Sequence, residues 1–185
     1  MSKVAIQGAA TGTGVFTLAS PATNTDRTLV LPDEAGTVLT TATPGVPVNG
    51  PAFSAYQDGN QIITTTTWTK AALSLEAFDT NANFDTATYR FTPTVAGYYQ
   101  LNASAIMQSS SANITLVAGS LYKNGTPSSY GTYGAIAATN FFGVMVSDIL
   151  YMNGSTDYVE FFIYAIATSP FSTNNRLTGA LVRTA

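Results

Sequence analysis

Turn residues cut this sequence into pieces too short for ordinary helices. Gly, Pro, Asn and Asp recur every few residues, and the segments between them are rich in Thr, Val, Ile, Tyr and Phe, side chains that suit a pleated strand. Strands are predicted at 52–57, 61–69, 87–92, 97–108, 113–123, 139–152, 157–166 and 177–184. Turn signals separate them at Asp58-Gly59, Asn124-Gly125, Asn153-Gly154 and Ser169-Pro170. Many short strands at this spacing argue for an all-β antiparallel sandwich or jelly roll.

With 185 residues the chain can bury one core and carry an appendage. Charged residues make up only 9% of it and the net charge is −3. Its basic residues (Lys3, Arg27, Lys70, Arg90, Lys123, Arg176, Arg183) are scattered singly, so no phosphate-reading face forms and no nucleic-acid partner is expected. Cysteine and histidine are both absent. That removes disulfides, thiolate nucleophiles, cysteine zinc sites and every Ser-His or Cys-His pair. The opening MSKVAIQGAATGTG has no continuous apolar region, and the longest notable apolar run, FFIYAIA, is strand-sized. Neither an export signal nor a membrane insertion is expected, and synthesis is placed in a cytoplasm.

Before residue 50 the texture changes. Residues 1–43 hold three short β-like pieces (15–19, 28–31, 37–41), and residues 44–51 read as a Pro/Gly linker to a head at 52–185. An arm of this size has no core of its own, so sister chains or a docking partner must hold it.

Residues 78–99, FDTNANFDTATYRFTPTVAGYY, begin like a calcium loop. Asp79, Asn81 and Asn83 occupy the first three ligand positions of an EF-hand, but Phe84 stands where a glycine is needed and Arg90 where a bidentate Glu is needed. The expectation is an Asx-rich turn and no metal site.

The second half of this stretch is more specific. Phe91, Pro93, Gly97 and Tyr99 form an aromatic-Pro-Gly-Tyr corner before a long alternating strand, with Tyr89 where the pattern has its first glycine. This corner resembles the jelly roll of the complement globular head and the tumour necrosis factor superfamily. SLYKNGT (120–126), SDILYMNGSTDYVEFFIYA (147–165) and RLTGALVRTA (176–185) resemble later strands of that family in the right order. The arm's RTLVLPDEAGTVLTT (27–41), with Thr28, Leu29, Leu31, Pro32, Gly36 and Thr37, is similar to segments near the N-termini of bacteriophage tail fibres.

The resemblances imply a homotrimer, and the residues permit one. In DYVEFFIYA one face presents Val159, Phe161 and Ile163, the other Tyr158, Glu160, Phe162 and Tyr164. One sandwich core covers only the first, so the second is a candidate trimer interface. The alternative is that a loop of the same chain covers it. Glu160, inside this apolar strand, could bind a cation or share a proton near a symmetry axis, though a satisfied interface residue is the plainer reading.

The carboxylates Asp58, Glu76, Asp79, Asp85, Asp148, Asp157 and Glu160 show no pairing, so no catalytic residue, no cofactor and no enzymatic activity are expected. The connections 125–140, with Tyr130 and Tyr133, and 167–175, with Phe171, are candidate receptor-contact loops for a host-surface glycan or protein. The leading expectation is a structural virion protein: a trimeric phage fibre, tip or decoration protein. Residues 1–43 would attach it to another virion protein while the head meets the host. The alternatives are a secreted complement-head-like binding module and a tail-associated polysaccharide depolymerase.

Overall fold

The computed structural model describes residues 50–108, 114–139 and 141–185, the side chains of 132–139 excepted, and a few isolated positions before residue 50. All but those positions of the arm at 1–43, its tail-fibre-like segment at 27–41 and nearly all of the linker lie outside the described residues. The head falls within the second of two compact units, Leu39–Ala185.

Its strands are β1 (Ala52–Tyr56), β2 (Gln61–Ile63), β3 (Thr69–Lys70), β4 (Leu75–Asp79), β5 (Phe84–Asp85), β6 (Arg90–Phe91), β7 (Ala96–Gln108), β8 (Ile114–Lys123), β9 (Thr126–Thr139), β10 (Phe141–Asn153), β11 (Val159–Ala167) and β12 (Phe171–Thr184). They pair antiparallel into two sheets. The first runs β10-β7-β12-β1-β4 with β2 beside β12; the second runs β5-β6-β11-β8-β9 with β3 beside β11. The jelly-roll sandwich expected from the sequence is thus the fold.

The period of two is cleanest in β7, where every second residue from Gly97 to Met107 is buried. The buried set of both sheets forms one core, with Phe53, Leu101, Met107 and Leu177 from the first and Phe91, Leu121, Phe161 and Ile163 from the second. An aromatic stack closes one end of it. Phe53 lies 5.3 Å from Phe84 and 4.1 Å from Phe91, and Phe91 lies 5.5 Å from Tyr99.

The corner before β7 is built as its residues suggest. A Cβ on Gly97 would stand 2.4 Å from the Arg183 carbonyl oxygen, so only glycine fits. The Tyr99 hydroxyl donates to the Val95 carbonyl at 2.7 Å and its ring is wholly buried, which pushes its pKa up to about 12. Tyr89, where the resembled pattern has glycine, adopts the left-handed conformation (φ 57°) that explains the pattern's preference. Upstream, Asp79 accepts the Asn81 and Phe84 amides at 3.2 and 2.6 Å, and Asp85 accepts those of Ala87 and Thr88. The Asp/Asn alternation therefore caps its own turns.

Several strands differ from expectation. The run predicted at 61–69 divides into β2 and β3, with Thr66 left-handed between them (φ 60°). Strand β4 was not predicted because Leu-Glu-Ala-Phe-Asp is poor in β-branched residues. Strand β12 begins at Phe171, six residues before the expected start, although its first half is polar. The wholly buried Asn175 explains how: its Nδ2 donates to Gln57 Oε1, Gln61 Oε1 and Thr173 Oγ1, which ties these polar side chains together inside the sandwich, while its Oδ1 has no hydrogen-bond partner among the described residues.

Both ends of the described head meet at one pole. The Leu181 amide donates to the Pro51 carbonyl at 2.9 Å and the Ala185 amide to the Ala96 carbonyl at 3.2 Å.

Two measurements check the corner. Tyr99 is neutral in the fold up to about pH 12 but ionises near 10.0 when unfolded, so its contribution is complete below pH 10.0 and is lost between 10.0 and 12. Urea midpoints are expected to fall less steeply over that window in Tyr99→Phe than in the parent. Tyr89→Gly is expected to change stability by less than about 1 kcal/mol, because release of about 1–2 kcal/mol of left-handed strain offsets the lost ring and glycine's greater entropy. Tyr89→Val, β-branched at the same φ, is expected to lower the midpoint.

Candidate functional site

A sandwich has two outer faces, and this one treats them differently. On β11 the predicted interface row faces outward and is partly covered by its own chain. Glu160 is 3% exposed, with Oε1 accepting from Lys70 Nζ at 2.9 Å and Arg90 Nε at 2.8 Å. That bond to Glu160 holds the Arg90 guanidinium above its ordinary pKa, and its Cζ lies 4.1 Å from the Tyr158 ring centre. Phe162 stacks on Tyr122 at 4.0 Å, and Tyr164 lies 5.3 Å from Trp68.

Trp68 is the residue that sequence reasoning missed. Its ring stands 6.2 Å from Tyr122 and 6.0 Å from Tyr130. In register, Ala118 lies opposite Tyr164, and Ser120 opposite Phe162 and Tyr130. Ala118 and Ser120 share the outward parity of Tyr122 yet are wholly buried. Trp68 fills the gap these small residues leave. Segments of the same chain therefore cover the β11 row in part: Glu160 is buried, whereas the other candidate interface residues, Tyr158, Phe162 and Tyr164, are half-buried. Nor is Glu160 a free carboxylate, since both its cationic partners are intramolecular.

The expected recognition loop at 125–140 is also corrected. Asn124 and Gly125 (φ 53° and 78°) make a two-residue hairpin turn, and the chain returns as β9, paired with β8 to its end. Gly, Ser and Ala concealed the strand, which takes its conformation from pairing rather than propensity. Tyr130 is 60% exposed on β9, whereas the side chain of Tyr133 lies outside the described residues. Phe171 is 2% exposed in the core and is not available to a receptor, because β12 begins there and turns it inward.

The first sheet's outer face is the opposite case. Among the described residues, every exposed large apolar side chain except Tyr130 and Ile166 lies on a strand of that sheet. Met145, Ile149 and Tyr151 of β10 line up with Ser104, Gln100 and Tyr98 of β7, and Val182 of β12 borders them. Tyr98 and Tyr151 are 5.5 Å apart. Between the apolar ends runs a polar belt in which Gln100 Nε2 donates to Ser147 Oγ and Ser147 Oγ to Asn102 Oδ1. Tyr98, Ile149, Val182 and the last three residues line an open groove.

Most of the carboxylates serve local structure. Besides Asp79, Asp85 and Glu160, Asp148 accepts from Ser129 Oγ and the Ile149 amide. Asp157 accepts from Lys123 at 2.8 Å and from Asn124, which hold it below the usual carboxylate range. The described residues contain no acidic cluster of a kind that holds a metal, and no helix long and apolar enough to cross a membrane.

No family model and no curated protein sequence matches the chain. Solved structures do. The globular domain of zebrafish complement 1qA protein aligns with a TM-score of 0.57 and 19% identity, over 73% of this chain and 99% of that one. The head has the complement and tumour necrosis factor jelly-roll fold. Eiger TNF from S. frugiperda aligns at 0.53 and 8% identity, over 77% and 96% of the two chains. PRD1 vertex protein P5 aligns at 0.53 and 15%, over 72% and 97%.

Glu160→Gln tests the clasp on the second sheet. Loss of the shared carboxylate is expected to cost about 1–3 kcal/mol in urea denaturation. Release of Lys70 is expected to expose Trp68 and shift its emission to the red.

Proposed function

We propose that this chain is a structural virion protein, a trimeric fibre, tip or decoration protein. Its head meets the host surface, and residues 1–43 attach it to another virion protein. The observation that carries the reading is the asymmetry of the two outer faces. One is roofed by its own chain, and the other presents nearly all the exposed large apolar side chains. An apolar face crossed by a hydrogen-bonded polar belt has the make-up of a subunit interface, and self-association through it leaves the second sheet turned outward. The threefold arrangement follows from the resemblance to jelly rolls of this kind. The virion assignment is supported by the tail-fibre-like segment at 27–41 and by a vertex protein sharing the fold. The head's role is binding rather than catalysis.

Light scattering on the purified chain is expected to give the mass of three copies. The double variant Met145→Asp/Ile149→Asp is expected to give one copy with its β-sheet spectrum intact, since both side chains already face solvent and carry no core packing. Electron microscopy of particles bearing a labelled copy is expected to place the label on the particle exterior. A trimer absent from particles would shift the reading to a secreted complement-head-like module.

A further inference from the structure

The roof over the second sheet is itself an open shelf. Trp68, Tyr122 and Tyr164 are half-buried and Tyr130 is 60% exposed. Their planes are tilted to Trp68 by 56°, 37° and 57° for Tyr122, Tyr164 and Tyr130, so the rings form a faceted surface rather than a closed stack. Three of the four rings are fixed by packing, so a ligand landing there orders few side chains. The cations beside the shelf, Lys70 and Arg90, are both bonded to Glu160. The shelf offers apolar ring face edged with phenol hydroxyls.

We propose that this shelf binds an uncharged pyranose ring of a glycan, stacked on Tyr130 and the open side of Trp68, with tyrosine hydroxyls bonding the sugar's hydroxyls. A pyranose has this complementary make-up, with C–H groups on its faces and hydroxyls around its edge. A protein partner fits less well, because a stable interface takes about 800 Å² from each side. An aromatic ring buries about 150–250 Å² when fully covered, and three of these are already half-covered. The shelf is the size of one or two sugar rings. The inference rests on the trimeric reading only for its strength on a surface, where three outward shelves raise weak single contacts by about 10²–10⁴ in avidity.

Trp68 is the only tryptophan in the chain, so its emission reports occupancy directly. The full chain is titrated with maltohexaose, cellohexaose, chitohexaose and mannohexaose to millimolar concentrations, with light scattering on the same samples. At least one sugar is expected to change the emission saturably, and Tyr130→Ala is expected to weaken that sugar about tenfold at unchanged mass. No emission change with any of the four, or an affinity unchanged in Tyr130→Ala, overturns the shelf. A trimer without a sugar response refutes the shelf and leaves the self-association reading standing. A sugar response from a monomer refutes the trimer and supports the shelf.

Discussion

The stack of Phe84, Phe53, Phe91 and Tyr99 is the join on which the sandwich depends. Its rings come from the second, first, second and first sheet in turn, so each contact crosses between layers. Strands β5 and β6 are two residues each and pair with little else, and the stack is what fixes them against the core. Once they are fixed, the turns between β4 and β7 have defined ends. The Asp79 and Asp85 caps, the left-handed Tyr89 and the Gly97 corner all lie within this span.

The same sequence signal, apolar residues on both faces of one strand, has two outcomes here. On β11 the outward row meets Trp68, Lys70 and Arg90 from its own chain, and these contacts bury Glu160 and half-bury the aromatic rings. On β10 the outward Phe141, Met145, Ile149 and Tyr151 form a row that stays exposed, with Tyr98 beside Tyr151. The difference lies in whether a neighbouring segment is long enough to fold back. The stretch between β2 and β3 is, and it places a tryptophan over small residues at Ala118 and Ser120. Among the described residues, the first sheet has no such strap.

This explains what the sequence could and could not disclose. The sandwich, the Asn124-Gly125 turn and the Pro93-to-Tyr99 corner were legible because each rests on local chemistry: strand period, positive φ, and a backbone approach only glycine permits. The doubly apolar faces of β11 were visible too. The partner of its outer face was not, because Trp68 lies some fifty residues from Ala118 and nothing local ties the two. Strand β9 was hidden for a related reason. Its Gly, Ser and Ala residues read as a loop, and pairing with β8 overrides them. Phe171 was misplaced because Ser172, Asn174 and Asn175 around it look like a loop, whereas the buried amide network admits them to the sheet.

The meeting of both ends of the described head at one pole gives it a polarity. Pro51, Ala96 and Ala185 share that pole with the turns at Asn124 and Asn153, while the β11–β12 connection at 168–170 stands at the far end of the strands. Trp68, 5.3 Å from Tyr164 midway along β11, lies on the flank between these two ends. A partner at the 168–170 connection would meet the strands end-on, and one at Trp68 would meet them side-on.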